Sequence, residues 1–173
     1  MTEKQEKILH AAGELFSREG YHATSTSKVA RKAGVSEGLI FRHYGNKEGL
    51  LNAVIEEGQE RFKSLYANIV METDPKEVLK KTIKLPFGVK ESEYEFWKLQ
   101  YKLKWEFEQY DKLKMEPVKI SLRNALEKLG YEDPEMEAEY ILHFIDGVAS
   151  ALLKGLVTDK DRLEKYLLSK YQL

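Results

Sequence analysis

The 173-residue sequence contains no cysteine, so disulfide bonds, thiolate metal sites and thiol nucleophiles are all excluded. It is also poor in proline and glycine, with 4 and 11 residues, a balance typical of a helix-rich globular protein. Apolar runs such as Ala149 to Leu153 are far shorter than the roughly 20 residues that a membrane-spanning helix requires. The charged start of the chain has no apolar signal region. We therefore expect a cytoplasmic protein with no membrane partner.

Side chains suited to catalysis are few and scattered. The four histidines lie at positions 10, 22, 43 and 143, and no serine or carboxylate pair has a spacing that suggests a nucleophile with its base. Glu139, His143 and Asp146 share one helix face and could hold a metal ion, but a lone histidine flanked by acids is more often paired in salt bridges. We expect no enzyme activity, no metal site and no cofactor.

Apolar residues recur at intervals of three and four in nearly every segment, which predicts an all-α protein. Three helices are predicted in an N-terminal domain of residues 1–46, over about Glu3–Glu19, Thr26–Ala33 and Glu37–Tyr44. A long helix from about Lys47 to Met71 links this domain to a C-terminal domain of residues 47–173. A short helix is predicted to start at Asp74-Pro75, followed by a loop at Leu85–Gly88. The helices predicted after this loop run over about Glu91 to Leu113, Pro117 to Gly130, Asp133-Pro134 to Val157 and Asp159 to Lys170.

The second and third helices are separated by the tight turn Gly34-Val35-Ser36. Gly34 can take the left-handed conformation and Ser36 can cap the next helix. Two short helices joined in this way and supported by a longer first helix form the helix-turn-helix arrangement, which lays its second helix in the major groove of DNA. The same pattern is also a common structural unit, so it does not establish DNA binding alone.

The third predicted helix has one inward pole at Ile40. Stepping about 100° per residue from Ile40 places Tyr44 and Ser36 inward as well. The outward residues are Gly38, Leu39 and Arg42, with Phe41 and His43 on the flanks. An arginine can bind guanine or a phosphate, an exposed leucine can contact a thymine methyl group, and glycine permits close approach. This face is therefore a candidate surface for reading bases.

Residues around this face can add phosphate contacts. Thr26 and Ser27 start the second helix and can offer backbone amides and hydroxyls, and Lys47 adds a charge at the start of the long helix. Glu37 has two interpretations that the sequence leaves open. It is either a first-turn acid that interacts favourably with the helix dipole, or a residue that reads cytosine or another base.

The run Ala33-Gly34-Val35-Ser36-Glu37-Gly38-Leu39-Ile40-Phe41-Arg42-His43-Tyr44, followed by Asn46-Lys47-Glu48 and Leu50-Leu51, resembles the signature of the TetR family of repressors. The resemblance covers about residues 5 to 55. It implies a DNA-binding transcriptional regulator, most simply a repressor, that binds a palindromic double-stranded operator as a homodimer and is released by a small-molecule effector. The DNA contacts that we assign are Thr26, Ser27, Ser36, Glu37, Gly38, Leu39, Phe41, Arg42, His43 and Lys47.

Two positions depart from the family's pattern. Phe41 stands where such proteins usually have a tyrosine, so a hydroxyl that could bind phosphate is absent. Tyr44 replaces the usual inward phenylalanine and needs a partner for its own hydroxyl.

The predicted helix from Glu91 to Leu113 has an aromatic stripe on one face and a mixed apolar stripe on the other. The first stripe is Tyr94, Trp97, Tyr101 and Trp105, and the second is Phe96, Leu99, Leu103 and Phe107. Aromatic stripes are usually core, and the alternative is a cavity whose polar ring atoms orient a ligand. Because the family resemblance implies an effector, we predict a pocket lined by the first stripe and His143. Effector binding in this pocket would alter DNA binding through the helix that starts at Lys47.

The helix from Tyr140 to Val157 is apolar almost all round, so one face fills the core and another needs a partner. We predict a two-fold interface between this helix and the terminal one, formed by Tyr140, Phe144, Val148, Ala151, Leu152, Gly155, Leu163 and Leu167. In the alternative, the terminal helix covers this face within one chain. Two other function classes also stay open, a helical adaptor without DNA binding and a small-molecule binding module whose helix-turn-helix is inactive.

Overall fold

The computed structural model describes residues 1–106 and 115–173, apart from the side chain of residue 105. Within these ranges all regular structure is helical, which confirms the predicted all-α class, and none of the helices is long and apolar enough to cross a membrane. The α helices there are α1 (Glu3–Glu19), α2 (Thr26–Ala33), α3 (Glu37–Tyr44), α4 (Lys47–Val70), α5 (Pro75–Lys84), α6 (Tyr94–Glu106), α7 (Glu116–Lys128), α8 (Pro134–Leu153) and α9 (Lys160–Lys170).

Several helices begin at a side chain that accepts a hydrogen bond from the first turn. Thr2 and Gln5 form a reciprocal capping box on α1, in which each side chain bonds the backbone N–H of the other. Asp74 and Asp133 cap α5 and α8, each followed by a proline in the first turn, and Asp159 caps α9. Because capping is local chemistry, the starts of these helices could be predicted to within about one residue.

The connection between α5 and α6 differs from the prediction. Leu85–Gly88 was expected to be a loop, but it forms a 3-10 turn in which Pro86 and Phe87 are buried. A second 3-10 turn precedes α6, which begins at Tyr94. The predicted continuation of this helix to Leu113 lies outside the described residues.

The end of α8 also differs from the prediction. The helix ends at Leu153 rather than near Val157, because Gly155 takes a left-handed conformation with φ of 68°. The backbone N–H of Leu156 then donates to the carbonyl of Ala151 at 2.9 Å and closes the last turn. The apolar periodicity continues past this point and therefore did not indicate the stop.

The first of two compact units consists of Met1–Glu60 and, of the second segment, the described residues Ser92–Glu106. Its core contains apolar residues of α1, α2, α3 and the first half of α4. Leu99 and Leu103 of α6 belong to the same core and are each 1% exposed. The unit therefore does not end at the predicted boundary after residue 46, because α6 and half of α4 pack with the helix-turn-helix.

The second unit consists of Arg61–Glu91 and the described residues from Met115 to the end of the chain. One core cluster joins α5, α7 and α8 with Leu167 of α9. Another joins Tyr66 and Ile69, from the second half of α4, to Val118 and other residues of α5 and α7. The length of α4 lets one continuous helix contribute to the cores of both units.

Candidate functional site

The helix expected to read bases, α3, is anchored through one fully buried side chain. Ile40 is 0% exposed and lies in the same core as Ile8 and Leu50. Because α3 has 8 residues, this single inward position leaves most of its surface free. The exposed residues of α3 are Gly38, Phe41, Arg42 and His43. Their exposure matches the placement expected from helix periodicity.

Two neighbouring residues lie differently from the placement predicted for them. Leu39 was expected to point outward, but it is half-buried because it packs against the core. Ser36 was expected to point inward and to cap α3. It occupies the N-cap position, but it is exposed and its hydroxyl makes no capping hydrogen bond. Its backbone is extended, with φ of −75° and ψ of 146°, so the helical step used in the prediction does not apply to it.

The turn before α3 has the predicted geometry. Gly34 adopts the left-handed conformation with φ of 67° and ψ of 35°, which an L side chain would disfavour. The preceding helix, α2, is capped by Ser25, whose hydroxyl accepts from the N–H of Lys28 at 3.2 Å. This cap leaves Thr26 and Ser27 in the first turn of α2, with Thr26 half-buried and Ser27 exposed.

A side-chain hydrogen bond connects the starts of α2 and α3. The hydroxyl of Thr26 donates to Oε1 of Glu37 at 2.7 Å, and both residues are half-buried. The two residues are 11 positions apart on different helices, so the sequence pattern contained no signal for this pair. The bond positions one carboxylate oxygen of Glu37 at the edge of the exposed face of α3.

The C-terminal end of α3 is fixed to α1 through Gln5. The hydroxyl of Tyr44 donates to the backbone carbonyl of Gln5 at 3.4 Å, which supplies the partner that this inward tyrosine was expected to need. Burial raises the pKa of Tyr44, and the carboxylate of Glu57 raises it further. The side-chain nitrogen of Gln5 also lies 3.5 Å from Nδ1 of His43. One residue of α1 therefore contacts two residues of the candidate reading helix.

Helix α4 starts directly against the end of α3. The side-chain oxygen of Asn46 accepts from the N–H of Gly49 at 2.8 Å, and the N–H of Asn46 donates to the carbonyl of Tyr44 at 2.9 Å. A Cβ atom on Gly49 would lie 2.0 Å from that same carbonyl oxygen, so a side chain there would force the two helices apart. The sequence analysis did not assign these roles to Asn46 and Gly49, although an asparagine just before a helix is a recognisable capping signal.

Lys47 and Arg42 present their charges in different ways. The ammonium group of Lys47 lies over the ring of Tyr21, 4.4 Å from its centroid, and donates to the carbonyl of His22 at 3.2 Å. Burial raises the pKa of Tyr21, with a smaller contribution from Glu48. Arg42 is exposed and makes no hydrogen bond or ion pair with any described residue. The lysine is thus held in place, whereas the arginine can reorient.

The residues expected to form an effector pocket belong to different units. Trp97 is buried at 7% exposure, Tyr94 and Tyr101 are half-buried, and the side chain of Trp105 lies outside the described residues. These residues belong to α6 in the first unit. His143 belongs to α8 in the second unit, where its side chain is 79% exposed and its Nε2 lies 3.7 Å from a carboxylate oxygen of Glu139. The role of His143 in an effector pocket stays a prediction.

Two of the surface grooves formed by the described residues lie in different units, one in each. The larger, of about 810 Å³, lies between α1 and α2, and the smaller, of about 320 Å³, lies between α4 and α5. The predicted pocket residues line neither groove. The smaller groove contains Lys80, Lys81 and Lys84, each of which is already paired with a carboxylate. Among the described residues, no group of three histidine or carboxylate side chains could hold a metal ion.

The residues expected at a dimer interface fall into two groups. Val148, Leu152 and Leu167 are 7%, 7% and 4% exposed and fill the core of the second unit, so they are unavailable to a partner and that prediction is corrected. Leu163 is half-buried against the same core. The second group contains Tyr140, Phe144 and Gly155, which are exposed, and Ala151, which is half-buried.

The exposed members of this set extend into a larger apolar stripe, which comprises Met136, Tyr140 and Phe144 of α8 and Tyr166 of α9. Tyr140 and Phe144 are 48% and 40% exposed, and their rings stack with centroids 6.1 Å apart. Met136 and Tyr166 are 59% and 65% exposed. The ammonium of Lys170, at the end of α9, lies 5.5 Å from the centroid of Tyr140. The stripe therefore runs along one face of α8 and adjoins α9.

The N-terminal part of the chain matches a known family. Residues 8–54 match the family model described as bacterial regulatory proteins, tetR family. Over 57 residues the chain is 44% identical to YvkB of Bacillus subtilis, named as an uncharacterized HTH-type transcriptional regulator. That alignment covers 33% of this chain and 30% of YvkB, so the sequence similarity spans less than a third of the relative. The family match at residues 8–54 includes all of α3.

Solved structures are similar over nearly the whole chain. A TetR-like transcriptional regulator from Rhodococcus sp. RHA1 has a TM-score of 0.79 and 24% identity, covering 96% of this chain and 92% of that one. The fatty acid degradation regulator FadR from Bacillus halodurans has a TM-score of 0.67 and 25% identity, covering 95% and 92%. These similarities establish the fold, and both of these solved structures are named as regulators.

The close approach of α4 to α3 can be tested with one substitution. We expect Gly49→Ala to lower the free energy of unfolding in urea by about 1–3 kcal/mol, because the added carbon overlaps the carbonyl of Tyr44. Gly38→Ala is the matched control, since no atom lies within 4 Å of its Cβ position and alanine favours a helix by up to about 1 kcal/mol. Equal stabilities of the two variants would contradict the close approach.

Proposed function

We propose that this chain is a member of the TetR family of bacterial regulatory proteins and represses transcription in the cytoplasm by binding a palindromic operator as a homodimer. A small molecule bound C-terminal to residue 46 then releases it. The observation that carries the proposal is the exposed face of α3. Arg42 and His43 project from a helix that is held by Ile40 and fixed at both ends. Such a helix can enter a major groove without disturbing the core beneath it.

The surroundings of α3 suit a phosphate backbone. The first turn of α2 brings Thr26 and Ser27 to a helix N-terminus, where backbone amides and the helix dipole favour an anion. Lys47 supplies a positioned ammonium group at the start of α4. In this arrangement, contacts from α2 and α4 set the register on the backbone, and Arg42 reads a base in the groove.

The DNA-binding proposal is tested by the double variant Arg42→Ala with Lys47→Ala. Its affinity for a duplex selected from a randomised pool should fall at least 10-fold, since a good bidentate base contact alone is worth about 1–3 kcal/mol. The slope of log affinity against log salt should also become shallower by about 0.9 for each phosphate that the variant no longer neutralises. Lys128→Ala, an exposed lysine of α7, is the control. Unchanged affinity and salt dependence would favour an adaptor or an inactive helix-turn-helix over a repressor.

The apolar stripe of α8 and α9 supports a homodimer. A patch of this kind on a monomer is normally covered, and a two-fold axis lets the same surface cover itself. A palindromic operator needs two α3 helices on one face of the duplex, about 34–36 Å apart. We infer that Tyr140 and Phe144 form the centre of the interface, with Ala151 and Gly155 allowing close approach of the backbones.

We expect Phe144→Glu to convert the dimer to monomers at micromolar concentration in sedimentation velocity, because it places a charge in the centre of the apolar stripe. The fold of the subunit should be retained, since Phe144 is 40% exposed and lies outside the buried core. Lys128→Glu places the same carboxylate elsewhere on the surface, with a larger change in net charge, and should leave the dimer intact. A Phe144→Glu protein that sediments like the parent chain would place the interface elsewhere.

A buried contact between α6 and α4 supports release by an effector. Gln100 is 1% exposed, and its amide donates to the carbonyl of Val54 at 3.2 Å. Gly58 provides the space for this amide, since a Cβ there would lie 2.1 Å from it. The amide oxygen of Gln100 is buried and accepts no hydrogen bond from any described residue, an arrangement that costs free energy. A ligand that displaces α6 therefore acts directly on the helix that begins at Lys47.

The effector proposal predicts an optical signal at Trp97. In a Trp105→Phe variant Trp97 is the single tryptophan, and its emission should shift when a compound releases the duplex. Fatty acids are the first compounds to test, because one similar structure is named as a fatty acid degradation regulator. Fatty acids that leave the duplex bound should leave the emission unchanged. Release of the duplex by a compound that does not alter the emission would contradict binding beside α6.

A further inference from the structure

We propose that Glu37 is a specificity-determining residue, which selects cytosine at one position of each operator half-site, and that Thr26 is its positioning residue. The inference rests on the proposed function, because it concerns the same α3 face. It goes further by assigning to one side chain the kind of base that it accepts, which is one of the two interpretations of Glu37 that the sequence left open.

The geometry divides the carboxylate of Glu37 into a held oxygen and a free one. Oε1 accepts the hydroxyl proton of Thr26 at 2.7 Å, and Oε2 accepts no hydrogen bond from any described residue. Since one oxygen is held, the side chain has already given up much of its rotational freedom before any DNA arrives, so a second hydrogen bond requires little further ordering. The carboxylate is a preorganised acceptor at the first residue of α3.

The surface beside Glu37 leaves room for the edge of a base. Gly38 follows it, and no atom lies within 4 Å of the position that a Cβ of Gly38 would take. Ser36 precedes it, with an exposed hydroxyl that makes no capping hydrogen bond. A base pair can therefore approach the backbone here more closely than it could beside a larger residue.

The chemistry of the acceptor limits the bases that it can read. A carboxylate only accepts hydrogen bonds, and in the major groove only the exocyclic amines of cytosine and adenine donate them. On adenine the amine lies beside N7, an acceptor that repels the carboxylate, whereas the major-groove edge of cytosine carries no acceptor. Guanine and thymine present acceptors to the same position, so cytosine is the base that fits.

The charge of Glu37 is what separates base reading from a structural role. A glutamine in the same position could still accept from Thr26 and would not repel phosphates. A carboxylate close to the DNA backbone is therefore repelled by the phosphates. A hydrogen bond from a cytosine amine can offset this repulsion. A bond that only joins two helices does not need the negative charge. The dipole of α3 also favours an acid at this position, so the experiment has to distinguish the two.

The test is selection of duplexes from a randomised pool by the parent chain and by Glu37→Gln, followed by affinity measurements on single-base changes. The parent should select cytosine at one position of each half-site, and changing it to thymine should weaken binding at least about 5-fold. In Glu37→Gln, Thr26 still holds the oxygen, so the free atom becomes an N–H donor. The preference at that position should then move from cytosine to a base with an acceptor.

Two further variants keep the result interpretable. Thr26→Val removes the positioning hydroxyl and should reduce the discrimination at the same position without changing the preferred base. Glu48→Gln removes an exposed carboxylate from the first turn of α4 and should raise affinity for all duplexes alike, leaving the selected sequence unchanged. A Glu37→Gln protein that behaves like Glu48→Gln would overturn the inference while the repressor proposal stands. A parent chain that selects no sequence at all would overturn both.

Discussion

The burial of Ile40 is the constraint on which the rest of the structure depends. A helix of 8 residues is too short to be stable alone in water, so it must be held by the remainder of the chain. Here one inward isoleucine joins α3 to the core of the first unit, and the neighbouring residues fix its ends. Gly34 sets the path of the backbone into the helix, while Tyr44 and Asn46 fix its end against α1 and α4. Rigid support on one side is what leaves the opposite side free to bind.

Local chemistry explains what the sequence could predict. The caps of α1, α5, α8 and α9, the left-handed Gly34 and the inward position of Ile40 all follow from residue type and short-range spacing. Contacts between distant residues could not be derived in this way. Thr26 with Glu37, Lys47 with Tyr21 and Gln100 with Val54 each join different elements, and each exists only because the core brings those elements together.

The C-terminal half shows where periodicity is insufficient. Between Tyr140 and Val157 most residues are apolar, so the pattern predicts a helix with two apolar faces but does not show which face meets the chain's own core. The structure places Val148 and Leu152 inward and leaves Tyr140 and Phe144 exposed. The predicted domain boundary after residue 46 assumed that each domain is one continuous stretch of chain. Leu99 and Leu103, however, bring α6 into the core of the first unit. Packing between segments that are distant in sequence leaves no signal in the local residue pattern.

The central claim is that two copies of the α3 face, related by a two-fold axis, bind successive major grooves on one side of a duplex. Helical phasing tests it most directly, using a selected operator whose two half-sites are separated by added base pairs. We expect about 5 added pairs to abolish high-affinity binding, because they turn one half-site to the opposite side of the duplex. Affinity that is independent of the spacing, or binding of single chains to isolated half-sites with undiminished strength, would contradict it.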